Sequence, residues 1–138
     1  MTVYVDSSVL LRFVLGQPDT LEPRLEGEER VASRLVETEC LRGIAALLHR
    51  GELGDEEAAE RRVAVHAYVR RLRRVSVSDA VLRRAGDASP LPLKTLDAIH
   101  IATALLWRDY RDPELVFATH DHQQARVALA LGFEVIGV

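Results

Sequence analysis

Four acidic residues of this 138-residue chain stand where folding alone would favour a neutral side chain. Each lies at the edge of an apolar segment; they are Asp6, Glu39, Asp97 and Asp121. Carboxylates that lie close together raise one another's pKa unless a cation joins them. Hard oxygen ligands of this kind suit Mg²⁺ or Mn²⁺. The sequence therefore predicts a divalent-metal site, and it favours phosphodiester hydrolysis as the chemistry.

Apolar strand-like segments alternate with helix-like segments along the chain. The pattern predicts strands at 2–5, 75–77, 115–119 and 134–137, and at 31–36 a weak strand or the lead-in to a helix. It predicts helices over 8–15, 36–50, 55–73, 78–86, 95–107 and 122–131, and a loop with at least one helical turn over 19–30. Strands that alternate with helices are typical of a mostly parallel sheet with helices on both faces.

Capping residues set the expected helix boundaries. Asp55, Ser78 and Thr95 are the expected N-caps, and Gly132 is the expected C-cap of the last helix. The helix from Asp55 has acidic residues in its first turn, and its last turns hold Arg70, Arg71, Arg73 and Arg74. This charge order complements the helix dipole.

The layout predicts where the acids meet. In an open parallel sheet, ligands bind beyond the carboxyl ends of the strands, where the strand order switches. Asp6 and Asp121 each follow a predicted strand, so they share one crevice if those two strands are neighbours. Asp97 at a helix start and Glu39 within a helix could point into the same crevice.

Composition limits the class of protein. The length predicts one domain, and the net charge of −3 does not indicate nucleic-acid binding. Lys94 is the only lysine among 18 basic residues; arginine suits phosphate contacts, although a coding bias toward Arg and Ala explains the excess as well. The single Cys40 excludes an internal disulfide or a thiolate zinc site. With neither a signal-peptide pattern nor a long apolar stretch, we expect a cytoplasmic protein.

At these residues the chain resembles the PIN-domain ribonucleases, and among them the VapC toxins of VapBC toxin–antitoxin modules. The matching segments are VDSSVL at 5–10, ECLRG at 39–43, LDAIHIATA at 96–104, ATHD at 118–121 and ALGFEV at 130–135. The third is the most specific. The resemblance implies a single PIN domain over 1–138, an α/β three-layer sandwich whose central parallel sheet has five strands in the order 3-2-1-4-5. That order places the first and fourth strands at the switch, in agreement with Asp6 and Asp121.

The resemblance also implies a function. It implies a metal-dependent endoribonuclease that uses Mg²⁺, or Mn²⁺ in its place, and acts as the toxin of a type II toxin–antitoxin system. The implied partners are an RNA substrate, a cognate VapB-like antitoxin and a second copy of the chain in a homodimer. The four acids match the family's catalytic and metal-holding quartet. Glu37 is a rival for one position, but the Glu-x-Leu-Arg-Gly context favours Glu39.

Each candidate residue also has a purely structural interpretation. Asp6 and Asp121 could be N-caps, Asp97 an acid favoured by the helix dipole, and Glu39 a solvated helix residue. The hydroxyls of Ser8 and Thr119 could orient a carboxylate, contact substrate phosphate or cap a helix.

Other polar residues give weaker signals. His120 and His122 flank Asp121, but no third nitrogen or sulfur ligand accompanies them, which argues against zinc. His100, three residues after Asp97, is either a packed helix histidine or a general base. Cys40 lacks a visible activating base. The Arg-rich helix over 55–74 is either a solvated face or a contact for RNA or partner.

Three rival functions follow from the same acids. A phosphatase with an aspartyl-phosphate nucleophile needs a second Asp two residues after the first, where this chain has Ser8. A receiver-like module needs an acidic pair after the first strand and a lysine near the end of the chain, whereas the only lysine is Lys94. A catalytically silent PIN-like scaffold is the third, and a complete acidic quartet argues against it.

Overall fold

A five-stranded parallel sheet carries the short apolar segments of the chain. In the computed structural model, which describes residues 1–138, the strands are β1 (Thr2–Val5), β2 (Glu29–Ser33), β3 (Arg73–Val75), β4 (Val116–Ala118) and β5 (Glu134–Ile136). The helices are α1 (Ser7–Val14), α2 (Glu22–Leu25), α3 (Leu35–His49), α4 (Asp55–Val69), α5 (Asp79–Ala85), α6 (Thr95–Tyr110) and α7 (His122–Ala130). No helix combines the length and the apolar character that crossing a membrane would require.

The strand order is β3-β2-β1-β4-β5, and all four neighbouring pairs are parallel. The predicted α/β fold and strand order are therefore confirmed. In the register, Val5 of β1 lies beside Ala118 of β4. The chain segments that follow these two strands consequently leave the sheet side by side, which brings Asp6 and Asp121 to the same edge.

Alternation along β1 distributes side chains between two core layers. Val3 and Val5 pack in the larger cluster, with residues of α1, α3 and α4. Tyr4 points to the opposite face and packs with Phe117 and with residues of α6 and α7. Helices therefore cover both faces of the sheet, and β1 is buried between them.

The segment after α4 differs from the prediction. Helix α4 ends at Val69 rather than near Arg73, and β3 covers Arg73–Val75 rather than 75–77. The arginines predicted for the last helical turns instead lie in a short connection and on an edge strand, where Arg73 pairs with Glu29 and Arg74 with Glu37. Charged residues are common on edge strands. Because β3 begins with two arginines, the pattern of apolar residues did not predict its position.

Two predicted N-caps are displaced by one residue. Asp55 and Thr95 are the first residues of their helices, and Gly54 and Lys94 are the N-caps, neither with a side-chain hydrogen bond. Helix α6 also runs on to Tyr110, three residues past the predicted end. Ser78 is confirmed as an N-cap, because its side chain accepts a hydrogen bond from the Val81 N–H.

Candidate active site

Asp6 is the N-cap of α1 and is only 3% exposed. Its Oδ1 accepts hydrogen bonds from the backbone N–H groups of Ser8 at 3.0 Å and Val9 at 3.3 Å. Burial nevertheless raises the pKa of Asp6, against the lowering effect of these hydrogen bonds. Asp6 is therefore both the N-cap of α1 and a buried carboxylate at the edge of the sheet, so the two interpretations of this residue are compatible.

The hydroxyls of Ser8 and Thr119 hold the Asp6 carboxylate from two sides. Ser8 Oγ donates to Oδ1 at 2.5 Å, and Thr119 Oγ1 donates to Oδ2 at 2.7 Å. Each hydroxyl also accepts a backbone N–H from the turn after β4, Ser8 from His120 and Thr119 from Asp121. Among the roles predicted for the two hydroxyls, these hydrogen bonds show that both orient a carboxylate.

Asp97 lies in the first turn of α6 and is half-buried. Its pKa is raised first by burial and then by the carboxylate of Asp121, with smaller contributions from Asp6 and Glu39; His100 acts in the opposite direction. Asp97 is thus close enough to the other three predicted acids to be repelled by them. No lysine or arginine forms an ion pair with any of the four, and the one basic side chain that contacts them is His100, at Glu39.

Glu39 enters the crevice from α3 and is bound by a buried histidine. Its Oε1 lies 2.5 Å from Nε2 of His100, and Nδ1 of His100 lies 2.7 Å from the Tyr4 hydroxyl. His100 is 1% exposed, so it is both a packed helix residue and a direct partner of an acid. The signal in the sequence was its position three residues after Asp97, on the same side of the helix.

Asp121 is exposed and is the N-cap of α7, where its Oδ1 accepts the Gln124 N–H at 2.8 Å. The Gln124 side chain, which the sequence analysis missed, is 1% exposed and extends behind the site. Its Oε1 lies 3.3 Å from Thr119 Oγ1, and its Nε2 lies 3.5 Å from the Asp97 carbonyl oxygen. A glutamine on the face of α7 that buries Ala125 and Ala128 was the available signal.

Glu37 lies outside the crevice. Its Oε1 is 3.0 Å from His66 Nδ1, and its Oε2 accepts from Arg74 Nη1 at 3.0 Å. The structure therefore brings Glu39, and not Glu37, to the other acids.

The remaining nucleophile and nitrogen candidates do not form a reactive site. Cys40 is fully buried, and burial together with the carboxylates of Glu39 and Asp6 raises the pKa of its thiol to about 12. Both effects favour the protonated thiol over the reactive thiolate. His120 Nδ1 lies 2.8 Å from the Gly137 carbonyl oxygen, and His122 is exposed. They do not converge on a zinc site.

A divalent cation fits the donor chemistry of the crevice, although the side chains do not form a finished coordination sphere. No three His, Cys, Asp or Glu side chains are arranged to hold a metal ion. Glu39 is turned toward His100, and Asp121 toward the first turn of α7. The donors are nevertheless all hard oxygens, and their mutual repulsion has no Lys or Arg partner to relieve it. Both properties favour a small divalent cation.

Two open clefts meet at Asp121. One, of about 440 Å³, is lined by Lys94, Asp97 and Gln123 together with the loop before α6. The other, of about 280 Å³, runs along α1 and is lined by Ser8, Arg12, Gln17 and His120 among others. Asp121 therefore lines both clefts, and each cleft also has a lysine or arginine side chain, Lys94 in one and Arg12 in the other.

Comparison with known proteins gives consistent results. The family model described as PIN domain matches residues 3–130. The relative Ribonuclease VapC46 of Mycobacterium tuberculosis is 38% identical over 105 residues, which cover 74% of this chain and 73% of the relative. Ribonuclease VapC47 of the same species is 27% identical over 138 residues, 95% of this chain and 93% of the relative.

Solved structures with the same fold are found among toxin–antitoxin complexes. A crystal structure of VapBC2 from Rickettsia felis bound to a promoter DNA fragment gives a TM-score of 0.69 at 12% identity, covering 99% of this chain and 98% of that one. A toxin–antitoxin complex from Klebsiella pneumoniae gives a TM-score of 0.66 at 17% identity, covering 97% and 95%. At these identities the likeness concerns the fold alone.

Proposed function

Since this chain belongs to the PIN-domain family and is a relative of the VapC ribonucleases, we propose that it is a divalent-metal-dependent endoribonuclease, the toxin of a type II toxin–antitoxin pair. The observation that carries the proposal is the crowding of four carboxylates in one crevice without a lysine or arginine partner. Such crowding is unfavourable in a metal-free protein, and a bound divalent cation relieves it.

Asp6, Asp97, Asp121 and Glu39 are the residues that would hold Mg²⁺ or Mn²⁺. When bound, the ion would lower the pKa of a water molecule and offset the charge on the scissile phosphate. The chain's own contribution is orientation. Ser8 and Thr119 hold Asp6, His100 holds Glu39, and the Gln124 N–H holds Asp121, so three of the four carboxylates are fixed by hydrogen bonds within the protein.

The two clefts that Asp121 lines favour binding of a polyanionic substrate. Arg12 and Lys94 lie one in each cleft, and neither side chain is engaged in an ion pair or hydrogen bond within the protein. Both are therefore available for the backbone phosphates on the two sides of the scissile bond. This arrangement favours an endonuclease, because a strand that passes through both clefts extends in both directions from the acids.

We also propose an antitoxin partner for this chain. Solved structures with this fold include toxin–antitoxin complexes, which supports a VapB-like antitoxin for this chain as well. A homodimer and a cytoplasmic location are predictions from the family resemblance, to be measured by sedimentation and by cell fractionation.

The deciding experiment is cleavage of a labelled RNA by the purified protein with Mg²⁺, with Mn²⁺ and with excess chelator. We expect cleavage only with a divalent ion, and none by Asp97→Asn prepared in parallel. Because the variant passes through the same purification, it controls for a contaminating nuclease. Equal cleavage by wild type and variant, or full activity in chelator, would contradict the proposal. No cleavage under any condition would favour the silent scaffold.

A further inference from the structure

A chain of hydrogen bonds runs from the sheet to Glu39. The Ser33 N–H donates to the Tyr4 hydroxyl oxygen at 3.2 Å. That oxygen lies 2.7 Å from His100 Nδ1, and His100 Nε2 lies 2.5 Å from Glu39 Oε1. Tyr4 and Ser33 have no solvent exposure and His100 has 1%, so water cannot replace any member except Glu39 at the end.

The donors and acceptors in this chain can be assigned from its two ends. A backbone N–H only donates, so the Tyr4 oxygen accepts from Ser33. Burial keeps the hydroxyl proton of Tyr4 in place, because it raises the pKa of Tyr4 well above the ordinary value for tyrosine. A carboxylate only accepts, so Nε2 of His100 carries a proton and donates it to Glu39.

We propose that His100 is a positioning residue for Glu39: the Tyr4 hydroxyl holds the ring at Nδ1, and Nε2 donates its proton to the Glu39 carboxylate. The role of Glu39 in holding a metal ion rests on the proposed function, whereas the hydrogen bond does not. The hydrogen bond fixes one carboxylate oxygen of a flexible side chain that lies close enough to Asp97 to raise the pKa of Asp97.

This arrangement lets a single strand position two acids. Asp6 follows β1 directly, and Tyr4, two residues earlier, reaches Glu39 through His100. Glu39 and His100 lie on different helices, α3 and α6, and Tyr4 connects both to the sheet. The distance between Asp6 and Glu39 is thus set through β1 rather than by the packing of α3 alone.

The first test is nitrogen NMR of histidine-labelled, metal-free wild-type protein near neutral pH, which needs no variant and no activity. We expect a protonated Nε2 for His100. Tyr4→Phe, which removes only the hydroxyl, should leave Nε2 protonated, because the Glu39 carboxylate can only accept. An unprotonated Nε2 in the wild type would overturn the proposal.

The second test measures Mn²⁺ affinity by electron paramagnetic resonance in three variants. His100→Leu should weaken Mn²⁺ binding by about 10- to 100-fold, the usual effect of losing a hydrogen-bond partner of a ligand. His100→Gln, which keeps an N–H donor at the position of Nε2, should restore most of that loss. If His100 had only a structural role, Mn²⁺ affinity would not depend on whether residue 100 carries an N–H donor. Equal affinity in His100→Leu and wild type would overturn the proposal.

The third variant, His66→Leu, is a matched control. His66 also binds a glutamate, Glu37, at 3.0 Å, but outside the crevice. His66→Leu should leave Mn²⁺ affinity unchanged, and a loss of affinity equal to that of His100→Leu would count against a specific role for His100. Failure of the proposed function is distinguishable: a wild type that cleaves no RNA but has a protonated Nε2 on His100 refutes the nuclease and retains the positioning of Glu39.

Discussion

Thr119 Oγ1 donates a hydrogen bond to Asp6 Oδ2 at 2.7 Å, across the two neighbouring strands at which the strand order switches. The same oxygen accepts the Asp121 N–H at 2.9 Å. One fully buried hydroxyl therefore joins the end of β1 to the start of the turn before α7, and it does so between two of the four acids. The integrity of the crevice depends on this contact.

Replacing this hydroxyl should destabilise the protein. Thr119→Val keeps the shape but leaves Oδ2 of Asp6 and the Asp121 N–H each without a partner, at a cost of about 1–3 kcal/mol for each group. Thr119→Ser retains the hydroxyl and should cost less. The free energy of unfolding in denaturant measures both. If the two variants were equally stable, the hydroxyl would have no part in holding the acids.

Stability of the metal-free protein should fall as the pH rises above about 4, the ordinary pKa of an aspartate, because of Asp6 and Asp97. Both carboxyls have raised pKa values in the folded state, through burial and, for Asp97, the neighbouring acids. The folded state therefore retains protons that the unfolded state has released. The stabilisation is complete below the ordinary pKa and is lost as the pH passes the folded value.

Thermal unfolding in chelator should reveal this loss by comparison with Asp6→Asn and Asp97→Asn. Each asparagine variant should gain stability relative to the wild type as the pH rises. A constant difference across the range would mean that these two carboxyls do not carry the repulsion.

Glu39→Gln should lower the cleavage rate by roughly 100-fold, the scale on which single groups of a catalytic site act. Glu37→Gln, two residues away on the same helix, should be much milder, because Glu37 binds His66 and Arg74 outside the crevice. Single-turnover kinetics at saturating Mg²⁺ gives both rates. The reverse order of effects would transfer the catalytic assignment to Glu37.

Arg12→Gln and Lys94→Gln should each weaken RNA binding and reduce its salt dependence by about one phosphate contact. Arg83→Gln is the matched control, since Arg83 is an exposed arginine on α5 outside both clefts. Fluorescence anisotropy with a non-cleaved RNA at several salt concentrations measures the slopes. If all three variants had the same slope as the wild type, the strand would follow another path.

Inhibition by the antitoxin should compete with Mg²⁺. A basic side chain of the partner would neutralise the crevice when the ion is absent, and the rest of its segment would cover the apolar side chains exposed on α1 and α4, such as Phe13 and Val63. Excess Mg²⁺ should then weaken inhibition. Neutralising the partner's basic residue should weaken inhibition more at high Mg²⁺ than at low Mg²⁺. Inhibition insensitive to both changes would place the partner away from the acids.

The sequence predicted the elements that end at the site better than the contacts within it. Asp6 and Asp121 could be located because apolar strands precede them and because the strand order follows from the family resemblance. The roles of His100 and Gln124 could not, because His100 reaches Tyr4 across 96 residues of sequence and Gln124 binds groups from two other elements. Side-chain hydrogen bonds of this kind depend on tertiary packing and have no local periodicity.

The two edge strands of the sheet restrict how the chain can associate. β3 and β5 have three residues each, and charged residues occupy them, with Arg73 and Arg74 on β3 and Glu134 on β5. Such edges are poor templates for another strand, whether from a second copy or from a misfolded chain. Assembly by lengthening the sheet is therefore disfavoured, which protects the folded protein from fibrillar aggregation and leaves its helical surfaces as the places where partners can bind.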